Sequence, residues 1–314
     1  MKKTFDVVGK RKAFYIFSIA VIVLSIILTF VLKMNVAIEF KGGTIVTYSY
    51  TGTLSDSAIG SAASEIVGQQ CNATLGESLA DGMQTVSLSF PSSTGISAEV
   101  QSALTEALNT KFSENALELY SSQDVNPTTG KGFFGKCLVA VAFSAVIMII
   151  YIGFRFRKIG GWVAGCCSVV ALLHDMFFVY ACCVICRFDI DSNFMAVLLT
   201  ILGYSINATI IIYDRIRENR KLYGAEASLS DLVNMSVTQS FGRSLHTTVT
   251  TVIAMVTICV VALIAGVSSI LSFAFPLVIG LLAGVYSSNC IAPTLWTIWQ
   301  GAIDKKKAAA NKAN

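Results

Sequence analysis

The sequence predicts a multi-pass α-helical membrane protein: six transmembrane helices in a half-transporter bundle, with a small ferredoxin-like α+β domain outside the membrane. Three observations predict it. The chain is 54% hydrophobic and 13% charged, about half the charge of an ordinary soluble domain at roughly 25%. Several charge-free runs are long enough to cross about 30 Å of hydrocarbon. A polar insert of roughly a hundred residues, Lys33 to Gly132, follows the first of them.

The runs define the spans. Ala13 to Leu32 gives 20 residues, Cys137 to Phe154 gives 18, and Ser192 to Tyr213 gives 22. Ile159 to Cys186 is apolar with one carboxylate inside it, Asp175. Ser244 to Ile303 holds no charge over 60 positions, enough for two crossings of about 20 residues each. The turn between those two is placed at Gly266-Val267-Ser268-Ser269. The first run is too long for the roughly 7–15-residue core of a signal peptide and ends at no small-residue cleavage site, so it reads as a retained span.

Lys and Arg in the short flanks orient the bundle. Lys2, Lys3, Lys10, Arg11 and Lys12 precede the first span, Arg155, Arg157 and Lys158 follow the second, and Lys305, Lys306 and Lys307 follow the sixth. The expected location is the inner (cytoplasmic) membrane with both termini cytoplasmic. The segments are 1–12 as N-terminus, 13–32 as first span, 33–132 as the outside domain, 133–303 as the remaining five spans with a cytoplasmic linker at 214–243, and 304–314 as a basic, disordered tail. Eight of the nine cysteines fall within apolar spans and only Cys71 lies outside. A disulfide framework and a metal site are therefore not expected, and the cysteines read as small packing residues.

The outside domain carries ten carboxylates against four lysines. Ile45 to Tyr50 alternates as a strand. Asp56 to Gln70 has helical spacing through Ala58, Ala62, Ile66 and Val67. A weak strand follows near Ala73 to Leu79, and a clearer one at Met83 to Phe90. Ser97 N-caps a helix to Phe112 with Val100, Leu104 and Leu108 on one face. Ala116 to Val125 closes the domain as a strand, Leu117 and Leu119 sharing a face. That order is βαββαβ, the ferredoxin-like one. In the linker, Ser228 to Ser240 reads as a surface helix with Leu229, Leu232, Val233 and Val237 on its apolar side.

Polar residues inside spans carry the functional reading, because a charge at the bilayer centre costs about 2.5–3.5 kcal/mol even on forgiving scales. Asp175 is mid-span: it is either a titrating site, the counter-ion of Arg243, or a carboxylate hydrogen-bonded to serines and threonines for packing. Arg243 opens a fifth span rich in threonine, and on its own reads as a snorkelling anchor. Asn207, four residues from Gly203, is placed to bridge to the fifth span. Asp214, Arg215, Arg217 and Glu218 read as a salt-bridged helix end, and Gly280 and Gly284 as a close-packing pair. No nucleophile elbow or phosphate-binding loop is present, so no enzyme activity and no cofactor is expected.

Several stretches resemble the SecF family, of the RND-type membrane fold. They are Ala37-Ile38-Glu39-Phe40-Lys41-Gly42-Gly43-Thr44, Val125-Asn126-Pro127, Ala171-Leu172-Leu173-His174-Asp175, Gly203-Tyr204-Ser205-Ile206-Asn207 through Asp214-Arg215-Ile216-Arg217-Glu218, Arg243-Ser244-Leu245, and Gly284-Val285-Tyr286-Ser287-Ser288. Their order along nearly the whole chain makes the match specific. The resemblance implies protein translocation by the Sec pathway, with SecD as heteromeric partner, the channel SecYEG and YajC beyond it, a translocating preprotein as client, and the proton motive force as energy. It further implies that Arg243 joins Asp175 and Asn207 in a proton or gating network. Ala208 stands where the family carries an intramembrane Asp thought to relay protons. A SecF-like subunit that only stabilises SecD, and half of an RND-type lipid or drug exporter, are the rival readings.

Overall fold

The computed structural model describes residues 4–32, 34, 36–77, 83–91, 96–125, 127–224, 226–265 and 268–313. Six of its helices are long and apolar enough to cross a membrane. The first is α1, Arg11–Leu32; a single turn, α2 (Ile38–Lys41), then leads into the α+β domain.

That domain runs β1 (Gly43–Ser49), α3 (Asp56–Val67), β2 (Asn72–Glu77), β3 (Gln84–Pro91), α4 (Ala98–Lys111) and β4 (Glu118–Val125). The sheet order is β2-β3-β1-β4 with every neighbour antiparallel, the expected ferredoxin-like arrangement. Alternation places Val46, Tyr48, Val86, Leu88 and Phe90 under the two helices. Ser97 caps α4 by accepting from the Val100 amide, and Leu104 and Leu108 are buried while Val100 is not. Two details differ from expectation. The buried stripe of α3 is Ile59, Ala62 and Ala63, with Ala58 and Ile66 outside. Leu119 of the edge strand β4 is 50% exposed, whereas Leu117, just before the strand, is buried. Ser78 and Leu79 of the expected second strand lie outside the described residues.

The bundle continues with α5 (Pro127–Arg155), α6 (Gly161–Cys186), α7 (Ser192–Tyr223), α8 (Leu229–Ala265) and α9 (Ser268–Tyr286); a π-helical turn, Ser287–Ile291, leads into α10 (Ala292–Ala313). α6 is the hub, packed by α1, α5, α7, α9 and α10. It achieves this with small residues, Gly161, Ala164, Gly165, Cys167 and Ala171, which let backbones approach; a Cβ on Gly165 would sit 3.0 Å from the Ile149 carbonyl. All nine cysteines are unpaired. Spans α6 and α7 and the sixth are at least 50% buried, whereas α1 and α5 are 11% and α8 17%, so three spans turn most of their surface outward.

Two expectations are corrected. The 214–243 stretch contains no separate surface helix: α7 runs on to Tyr223 and α8 starts at Leu229, with Leu232, Val233 and Val237 buried in the helix that becomes the fifth span. The N-terminal segment packs there, Val7 and Val8 both donating to Asn234 Oδ1 at 3.0 Å. The tail is helical through Ala313, because alanines and lysines extend a helix already nucleated in the membrane. Of the expected turn at Gly266–Ser269, Gly266 and Val267 lie outside the described residues, and Ser268 already begins α9.

The domain is anchored at the first of the quoted motifs. Gly42 and Gly43 take φ of 86° and 141°, values open to glycine without strain, and so turn the chain from α2 into β1. The Ala37 amide donates to the Ile190 carbonyl at 3.0 Å, and the Ser192 amide to Glu39 at 3.0 Å. Phe40 packs on Phe133 and Phe134 of α5.

Candidate functional site

Asp175 is fully buried in the middle of α6. Its carboxylate accepts from Ser205 Oγ of α7 at 2.7 Å and from Ser287 Oγ of the π turn at 2.8 Å. His174 Nδ1 lies 3.0 Å from the other oxygen. Around this, Thr209 and Ser288 are 2.9 Å apart, and Ser288 donates to the Ser205 carbonyl at 3.2 Å. Three spans therefore converge on one acid through hydroxyls, which supply hydrogen bonds without charge.

The local sequence explains why they meet. Gly284 has no side chain where one would stand 3.2 Å from Ser205 Cβ and 3.7 Å from Asp175 Oδ2, and Gly280 lies against Ile201 and Val179. The glycine pair thus seats α9 against α6 and α7. Three residues after Gly284 the π turn, a local widening common at functional sites, brings both Ser287 and Ser288 inward; each is fully buried. His174 is held at 4.4 Å from the Phe178 ring and 5.6 Å from Tyr286. Its Nε2 is buried and has no hydrogen-bond partner among the described residues. The site therefore holds an acid, an adjacent imidazole and one ring nitrogen without a hydrogen-bond partner among the described residues.

The other expected members lie elsewhere. Arg243 is exposed on α8 and is not among the partners of Asp175, so the expected counter-ion pair is not formed. Asn207 is exposed as well; the bridge from α7 to the fifth span is made instead by Tyr204, whose hydroxyl donates to Thr248 at 2.9 Å. Gly203 has open space around it, because its helix face points out of the bundle. Asp214 accepts from Arg217 at 2.6 Å and Arg155 at 3.4 Å, and Arg215 reaches Glu218 and Gln239 at 2.6 Å, a helix end tied to both neighbouring spans. Sequence reasoning assigned no role to Ser205, Ser287 or the π turn. The available signal was the pair of adjacent serines in an otherwise apolar run.

At the outer rim, Asp191 caps α7 by accepting from the Phe194 amide at 2.9 Å. Burial pushes its carboxyl above the usual range, and the nearby charges of Glu39 and Asp189 add to this against the lowering by the Phe194 N–H.

A six-span bundle built around a buried acid, with a small α+β domain inserted after its first span, is a multi-pass membrane protein with half of a transporter layout. The comparisons agree. Residues 103–302 match the family of protein export membrane proteins SecD/SecF, C-terminal part. The SecDF protein translocase subunit of Bacillus subtilis is 36% identical over 97% of this chain, which spans 39% of that protein. The SecF protein translocase subunit of Alicyclobacillus acidocaldarius is 32% identical over 100% of this chain and 98% of its own length. The crystal structure of SecDF, a translocon-associated membrane protein from Thermus thermophilus, superposes with a TM-score of 0.78 at 26% identity, over 96% of this chain and 39% of that one. The chain belongs to the SecD/SecF family of protein export membrane proteins, and its extent is that of the SecF protein translocase subunits.

Proposed function

We propose that this chain works with SecD at the SecYEG channel, with YajC beyond it, to promote the passage of preproteins across the cytoplasmic membrane, drawing on the proton motive force. Both termini face the cytoplasm in this reading, and the α+β domain meets the emerging preprotein outside. The observation that carries it is the buried Asp175 with His174 beside it and hydroxyls from two other spans around it: an ionisable pair this deep in apolar helices points to proton exchange. The fusion of both names in the Bacillus subtilis relative supports SecD as partner. So does Asn207, an amide exposed on the outer face of a span, which lipid cannot satisfy and a second bundle can.

The test replaces a cell's own SecF with this chain and follows secretion driven by the proton gradient. Wild type is expected to restore it, and Asp175→Asn to abolish it while still co-purifying with SecD. Secretion undiminished in Asp175→Asn would move proton exchange to the partner. A second reading rests on Ala208, a buried methyl group at 8% exposure at the position of the family's relay carboxylate: the chain is then a structural half that stabilises SecD. Proton uptake by proteoliposomes holding both subunits separates the two, since the structural half leaves uptake unchanged in Asp175→Asn.

A further inference from the structure

At the end of the bundle away from the α+β domain, the turn Arg157–Ile159 between α5 and α6 and the last turns of α7 enclose a cleft of about 990 Å³. Six cations line it, Arg155, Arg157, Lys158, Arg217, Arg220 and Lys221, against two carboxylates, Asp214 and Glu218. Those carboxylates are engaged, Asp214 by Arg217 and Arg155 and Glu218 by Arg215, while Arg220 faces Asp304 at 3.6 Å. Among the described residues no carboxylate pairs with Arg157, Lys158 or Lys221.

The cleft is built, not a loose charged surface. Two of its cations rest on the buried Phe156, the guanidiniums of Arg155 and Arg217 lying 5.3 and 5.9 Å from its ring centre. The turn is pinned by Trp296, whose Nε1 donates to the Ile159 carbonyl at 3.2 Å. One aromatic side chain lines it, Phe154, with Arg157 lying 4.5 Å over its ring, and beside the cleft Trp162 stands with its ring centre 6.0 Å from that of Phe154; both rings are 55% exposed. Unpaired cations at the end of a span, with exposed aromatic rings beside them, match a ligand that is anionic at one end and apolar at the other.

We infer that this cleft binds the phosphodiester of an anionic phospholipid from the leaflet opposite the α+β domain, with the acyl chains against Phe154 and Trp162. Soluble phosphate shares the headgroup chemistry but leaves the aromatic rings unused. The full-length chain, purified in detergent, is titrated with phosphatidylglycerol, cardiolipin or phosphatidylcholine, and bound lipid is counted by native mass spectrometry. Wild type is expected to retain the anionic lipids over phosphatidylcholine, and Arg157→Gln/Lys158→Gln/Lys221→Gln to lose them at least about fivefold, the effect of roughly one surface cation. The charge-retaining Arg157→Lys/Lys221→Arg keeps binding, Trp162→Ala weakens it, and excess inorganic phosphate leaves it in place. Equal retention of neutral and anionic lipid, undiminished binding in the triple variant or in the single Arg157→Gln variant, or displacement by phosphate overturns the assignment.

Discussion

At the scale of single residues, Asp175 sets the terms for everything near it. A typical intramolecular hydrogen bond contributes about 0.5–1.5 kcal/mol net, so Ser205→Ala and Ser287→Ala are each expected to lower the thermal midpoint in detergent. Asp175→Ala, which strands both hydroxyl donors, should cost more than either, and an unchanged midpoint in all three would mean the cluster is not hydrogen-bonded as described. Gly160 offers a check independent of that cluster. Its φ is +82°, and a side chain in that region costs about 1–2 kcal/mol, so Gly160→Ala is expected to destabilise although Gln300 beside it is flexible enough to move. Asp175 was legible in the sequence because a carboxylate inside an apolar run must have a reason. Ser205 and Ser287 were not, since serine is neutral and frequent in spans, and which serine faces inward depends on the turn that carries it. Arg243 and Asn207 were polar enough to notice, but polarity does not reveal which side of a helix faces the bundle.

At the scale of elements, the long charge-free runs made the number of spans legible, and strand alternation did the same for the α+β domain. The helix ends were not, for a physical reason: charges mark where the bilayer stops, while a helix stops where its hydrogen bonds fail. So α7, α8 and α10 run past the charges that bounded them. The cap of α7 yields a pH prediction. Asp191, with an ordinary value of 3.8, is raised, so the folded state holds its proton more tightly than the unfolded state. Stability contributed at this site is therefore greatest at low pH, and is lost as pH rises from the ordinary value through the raised one. Asp191→Asn keeps an acceptor for the Phe194 amide and removes the repulsion from Glu39 and Asp189. Its midpoint at neutral pH should equal or exceed wild type, with less pH dependence above about pH 4; profiles that coincide would exclude this account. The π turn is equally specific. Deleting one residue within 287–291 rotates α10 by about 100° relative to α9, carrying Trp296 away from the Ile159 carbonyl, and folded yield in size-exclusion chromatography is expected to collapse.

At the scale of the whole molecule, the α+β domain has a core of its own, centred on Tyr48, Phe90, Ile59, Leu104 and Leu108. Gly43 pairs with Val125, so its first and last residues are neighbours, and a fragment spanning 43–125 is expected to fold alone. Cooperative thermal unfolding by circular dichroism would show it; a featureless coil spectrum would not be compatible. The paired ends also bear on how the domain is held. Its sheet is supported where α2 meets the start of α5 through Phe40 and Phe133 and where Ala37 and Glu39 bond Ile190 and Ser192, while its edge strand β2 rests against α9. Between support and rest lies an open polar cleft of about 560 Å³. Mechanically this is a plate held at more than one edge, and a load on it is shared between the spans joined at those contacts.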